Sequence, residues 1–173
     1  MPNLVQRPTV KRIKAARRLM ASAQLESIRL LQADAEYSPL KGTVVSAAGK
    51  AHPGLYVSAR FFPEARLEAK ERMLRVSVRY LLHARRGPAR QSQLALRIRV
   101  LFELRYALPE GLRPTSEEAT AFSHTNAMLN SWPYWREFVQ NTVARMNLPP
   151  LTLPLFRLVP PRPSQSKPTP QRG

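Results

Sequence analysis

Residues 126–158 read NAMLNSWPYWREFVQNTVARMNLPPLTLPLFRL. The stretch predicts a helix break, an amphipathic helix, a helix stop and a proline-spaced apolar tail, in that order. Pro133 suits the first turn of a helix, where a backbone N–H has no intrahelical acceptor and its loss costs nothing. From there Trp135, Phe138, Val139, Thr142, Val143 and Met146 recur at the three- and four-residue spacing of one helix face. Arg136, Glu137, Gln140, Asn141 and Arg145 lie off that face. Asn147 tolerates the left-handed conformation that ends a helix, and Pro149-Pro150 prevents continuation. The following LPPLTLPLF is extended, because each proline excludes helix and biases the residue before it.

Just upstream, Thr115 and Glu118 form a capping box, the hydroxyl reaching forward to an orphan N–H and the carboxylate reaching back. Ala119, Phe122, Asn126 and Leu129 fall along that first helix, and Ser131-Trp132-Pro133 turns the chain into the second. The segments before it alternate with period two. Met73–Leu82 sets Leu74, Val76, Val78 and Tyr80 against Arg75, Ser77 and Arg79. Leu94–Leu108 sets Leu96, Ile98, Val100, Phe102, Leu104 and Tyr106 against Arg97, Arg99, Leu101, Glu103 and Arg105. One apolar and one basic face is what an antiparallel sheet covered on one side requires. The polar link Ala84–Ser92 suits a hairpin. Ile28–Tyr37 is a third strand, with Leu31, Ala33, Ala35 and Tyr37 in phase, and Leu55–Phe62 a fourth, stopped by Pro63. The loop 39–54 carries a short extended piece at Thr43–Ser46, and Glu64–Arg72 fits helix and strand equally. Strands first and helices after give an α+β fold: a four-stranded antiparallel sheet with two C-terminal helices.

A chain of 173 residues suits one domain. Its margins read differently: residues 1–24 are a basic N-terminal extension, expected to fray, and 159–173 a proline-rich tail too polar to pack, leaving 25–158 as the domain. The absence of cysteine excludes disulfides, thiol nucleophiles and cysteine metal sites. No apolar run approaches the roughly 20 residues that span a bilayer, and no apolar stretch follows the basic N-terminus as a secretory signal would demand. A cytoplasmic location is expected. The net charge of +17, from 28 basic and 11 acidic residues, attracts nucleic acid, anionic membrane or acidic protein.

Catalytic patterns are missing. His52, His83 and His124 lack the spacing of a metal site, and no phosphate loop, dinucleotide loop or nucleophile elbow occurs. Ser123-His124 lacks an orienting carboxylate, and Glu117-Glu118 is explained as charge at a helix start. No enzyme, cofactor or metal is expected.

The run Pro133, Tyr134, Arg136, Glu137 at the start of a helix, closed by Leu148, Pro149, Pro150, Leu151, Leu153 and Pro154, resembles the SecB family of export chaperones. The resemblance is specific from Ala119 to Leu158, looser over the strands, and absent from the first twenty residues and the last fifteen. It implies the same sheet-and-helix-pair fold, assembled as a dimer of dimers (a homotetramer), and ATP-independent capture of non-native polypeptide for protein export. The apolar client groove it implies falls here on Leu55, Tyr56, Phe61, Phe102, Leu104, Tyr106, Trp132, Tyr134 and Trp135. The exposed sheet face, where SecB proteins present carboxylates to the translocase ATPase SecA, carries Arg97, Arg99 and Arg105, with Glu103 its sole acid. Unmatched charge argues against a conventional handoff to SecA and leaves room for a dedicated client such as an antitoxin. The rival reading is a basic nucleic-acid-binding module that uses this face and the Lys11–Arg18 segment.

Overall fold

Period-two alternation builds a sheet, and in the computed structural model, which describes residues 10–38, 55–86 and 93–156, it builds one of four strands. These are β1 (Gln24–Tyr37), β2 (Leu55–Glu68), β3 (Met73–Arg86) and β4 (Gln93–Ala107), all antiparallel in the order β1-β4-β3-β2. The pairs Leu74–Tyr106, Val76–Leu104, Val78–Phe102, Tyr80–Val100 and Leu82–Ile98 stand opposite one another, so these residues of the two central strands face the same side. All ten are buried. The strands exceed their sequence-predicted bounds. β2 continues through Pro63 to Glu68, followed by a short 3-10 turn (Ala69–Glu71), because an edge strand tolerates a residue that cannot donate to a neighbour. β1 starts earlier and contains a bulge between Leu30 and Gln32, where Leu31 is the extra residue. The Thr43–Ser46 piece, residues 87–92 of the Ala84–Ser92 link and the tail 159–173 lie outside the described residues.

Three α-helices cover one side: α1 (Val10–Ser22), α2 (Ser116–Phe122) and α3 (Met128–Arg145). The capping box is present as read, Glu118 N–H donating to Thr115 Oγ1 at 3.2 Å and Thr115 N–H to Glu118 Oε2 at 2.8 Å. α3 ends as expected too. Asn147 is left-handed (φ 54°), and the N–H groups of Asn147 and Leu148 reach back to Ala144 and Val143.

The break at Ser131-Trp132-Pro133 is not there. α3 runs straight through it with Pro133 inside, and the irregularity sits earlier, in a π-helical turn at Ser123–Ala127. Pro133 is tolerated because it and Leu129, whose carbonyl loses its donor, are both exposed. The wide π turn loosens the backbone ladder, and hydroxyls repair it. Ser123 donates to Thr120 O at 2.8 Å, Thr125 to Ala121 O at 2.9 Å, and Ser131 to Ala127 O at 2.7 Å. The extra residue also changes the helical phase. Asn126 and Leu129, read along the first helix, give way on the buried line to Ala127 and Met128, and the buried stripe continues as Ser131, Trp132, Trp135, Val139 and Val143.

The basic N-terminal segment does not fray from Val10 on. Ala16 and Leu19 are fully buried against the rest of the core, and α1 lies along α2. Arg18 clamps the contact, its Nε and Nη2 donating to the two oxygens of Glu118 at 2.8 and 2.7 Å and Nη2 also to Arg113 O at 3.1 Å. The Arg18 guanidinium, with help from the Thr115 backbone, holds the Glu118 carboxyl down at about 2.

Candidate functional site

The aromatic side chains named by the sequence gather between the sheet and α3. Tyr80 stacks on Trp135 (ring centroids 5.1 Å, 14° between planes), stands 6.0 Å from Trp132 and 6.1 Å edge-on from Phe102. Its hydroxyl shares a 2.7 Å hydrogen bond with Ser131, and burial raises its pKa. Tyr106 packs edge-on against Phe122 at 4.8 Å, and Asn130 donates to its hydroxyl at 3.1 Å. This is a core. Phe102, Leu104, Tyr106, Trp132 and Trp135 are all buried, so the groove expected on them is filled by the chain's own α3. Phe61 is half-buried against the same cluster; Leu55 and Tyr56 begin β2, but their side chains lie outside the described ones.

Tyr134 is the exception, at 49% exposed. Its ring leans on Phe102 at 6.5 Å, and the next residue across the sheet from Phe102 is Leu30 of β1. Of the three helices, α2 rests on β2 and α3 on β3 and β4, and β1 has no comparable helix cover. Nothing in β1 is buried; Ile28 is half-buried, and Leu25, Leu30 and Leu31 are 38%, 48% and 52% exposed. An apolar strip therefore runs along β1 with Tyr134 as its wall and Phe102 as its floor. The outer edge of β1 pairs with no strand among the described residues, so a row of backbone donors and acceptors borders the strip. Apolar contacts beside a free sheet edge suit an extended polypeptide with little regard to its sequence. Sequence reading missed Leu25 and Leu30; the Leu30-Leu31 doublet, which breaks the alternation, was the available signal.

The opposite face of the sheet reads across the strands in rows: Phe62–Arg79–Leu101–Gln32, Arg60–Leu81–Arg99–Asp34 and Ser58–His83–Arg97–Glu36. Glu103 is not its sole acid. Arg97 pairs with Glu36, Arg99 with Asp34 at 2.6 Å, and the buried Glu103 with Arg105 at 3.0 Å and Arg75 at 3.5 Å, so neighbouring β1 neutralises most of what β4 alone displays. Arg60, Arg66 and Arg79 make no ion pair among the described residues. Partial burial and the surrounding Arg85, Arg97, Arg60 and Arg99 lower the His83 pKa, favouring the neutral imidazole.

His124 bonds through Nδ1 to Thr120 O at 3.0 Å and Ser123 Oγ at 3.3 Å with no carboxylate behind it. No group of three metal-ligating side chains occurs among the described residues, and no helix there is long and apolar enough to cross a membrane.

No protein-family model matches the chain. Over 52 residues it is 44% identical to the SecB-like chaperone Rv1957 of Mycobacterium tuberculosis (strain ATCC 25618 / H37Rv), and equally to the SecB-like chaperone MT2006 of strain CDC 1551 / Oshkosh. The match covers 30% of this chain and 29% of each of these curated relatives, so the chain spans under a third of their length in sequence. The fold extends the likeness. The solved structure of the Mycobacterium tuberculosis Rv1957 SecB-like chaperone, in complex with a ChAD peptide from the Rv1956 HigA1 antitoxin, superposes with a TM-score of 0.68 at 27% identity over 85% of this chain and 100% of that one. A local likeness of sequence and a likeness of whole fold meet on one class, the SecB-like chaperones, to which this chain is similar.

Proposed function

We propose that this protein is a holdase chaperone that binds extended, non-native polypeptide without ATP and without catalysis, in service of a dedicated client such as an antitoxin. The observation that carries the reading is the match of its fold to the whole of a SecB-like chaperone whose solved structure holds an antitoxin peptide. The strip along β1 supports it physically: Leu30, Leu31 and Tyr134 are apolar and exposed beside an unpaired strand edge. Self-association into a dimer of dimers, a cytoplasmic location and a part in protein export belong to the same reading. A handoff to SecA does not, since the sheet face is neutralised or basic where that docking would call for acid.

The nucleic-acid alternative rests on the charge of +17. Against it, the arginines of β4 are spoken for by carboxylates, and Phe62 is the one aromatic exposed on that face among the described residues, where a stacking platform needs several.

Light scattering of a refolding client, with and without the protein at low and moderate salt, tests the proposal. Suppression of aggregation near stoichiometry that survives moderate salt is the expected result. Loss of suppression as salt screens charge would replace apolar capture by simple electrostatic association.

A further inference from the structure

Beyond α3 the chain turns back, and residues 148–156 lie extended along the helix. Two donors one helical turn apart hold it. Trp132 Nε1 donates to Pro154 O and Arg136 Nε to Leu153 O, each at 2.8 Å. Two side chains insert: Leu153 is 2% exposed and Phe156 7%, with the Phe156 ring 5.6 Å from Trp132. Between and beside them Thr152, Pro154 and Leu155 face solvent, Leu155 at 61% despite being apolar. Helix α3 thus reads two consecutive main-chain carbonyls and two apolar side chains three residues apart. It reads no charge, and the carbonyl contacts are blind to side-chain identity. Pro149, Pro150 and Pro154 keep the segment extended at low entropic cost, as in other proline-rich ligands of aromatic surfaces.

We infer that the α3 surface carrying Trp132 and Arg136 is an extended-peptide site that the chain's own Leu153–Phe156 occupies, and that an extended client segment with apolar residues three apart displaces it. The client's identity as non-native polypeptide rests on the holdase reading above; the site rests on the tail's own contacts. A tether this short gives the tail an effective concentration on the order of millimolar. A client therefore sees only the fraction of molecules whose tail is off, and its apparent affinity falls by that fraction. The tail sets a threshold: weak, folded-state segments are refused, and long unfolded chains with several such motifs enter.

The probe is a fluorescent peptide of residues 148–156, LPPLTLPLF, titrated onto the full-length protein by anisotropy. The substitution Leu153→Ser with Phe156→Ser empties the site without removing the tail. It is expected to tighten probe binding about tenfold or more over the parent, following the freed fraction. Adding Trp132→Phe and Arg136→Ala to that variant removes both donors and is expected to abolish the gain. Circular dichroism and thermal melting check the fold, and Phe156→Ser alone, at the end of the described chain, serves if the double variant melts early. Probe binding no tighter than the parent's in a folded variant would overturn the inference and make the tail a structural cap. If the parent suppresses aggregation while the tail variants gain nothing, the holdase reading stands without this site. If the variants bind the probe but neither form suppresses aggregation, the site stands and the holdase reading falls.

Discussion

One face of one sheet carries two surfaces of different kinds. Over β3 and β4, apolar residues stand opposite one another in register, α3 lays its buried stripe on them, and nothing remains for a partner. Over β1, which lies at the edge of the sheet beyond β4, the same kind of residue is left exposed. The difference does not lie in hydrophobicity: Leu30 is as apolar as Leu104. It lies in which strand a helix reaches, since α3 rests on β3 and β4. Closed surface stabilises this fold, and open surface is available for binding.

Substitutions on either side separate these roles. Trp135→Ala, on the closed side, empties a site stacked on Tyr80 and is expected to cost about 3–5 kcal/mol, read from the midpoint of chemical denaturation with its slope unchanged. Leu30→Ser with Leu31→Ser, on the open side, should leave stability within about 1 kcal/mol while lowering client affinity roughly tenfold, a loss of about 1.4 kcal/mol. A stability loss as large as that of Trp135→Ala would mean the strip is core after all. Thr115→Ala removes the cap of α2 and should cost about 1 kcal/mol, visible as a lower melting temperature with client binding unchanged.

Acid tests the docking of α1 onto that same cap. Glu118 is held at about 2 in the folded protein, below the ordinary carboxylate value, so its contribution is complete above the unfolded value and drains away as pH falls toward 2. Glu118→Gln should flatten the stability profile over that acid window and leave neutral-pH client binding alone. Smallest is the outer face: Arg99→Ala or Asp34→Ala breaks an exposed pair and should change stability by no more than about 0.5 kcal/mol.

Where local chemistry decides, the sequence was legible. The alternation of β3 and β4, the Thr115–Glu118 box and the Asn147 stop each depend on residues within a few positions of one another, and each stands where the pattern put it. Distant contacts decide the rest. Whether Trp132 lines a groove or a core depends on Tyr80 and Phe156, far away in the chain. Whether Arg97 and Arg99 are free depends on Glu36 and Asp34 of a strand that pairs with β4 only in three dimensions. The burial of α1 follows from Ala16 and Leu19 meeting α2, which an isolated basic helix does not announce.

The π turn at Ser123–Ala127 makes this protein unusually sensitive to the loss of a single codon. Each residue of an α-helix advances the direction of its side chain by about 100°. Deleting one residue there would relax the turn to regular helix and free Ser123 and Thr125 from their repair work, a local gain. The bill would fall downstream, where all of α3 would rotate as one rod and swing Trp132 and Trp135 away from Tyr80. A lineage could exchange the half-buried His124 and Asn126 among these five, yet it cannot shorten them without rebuilding the whole of the helix that follows.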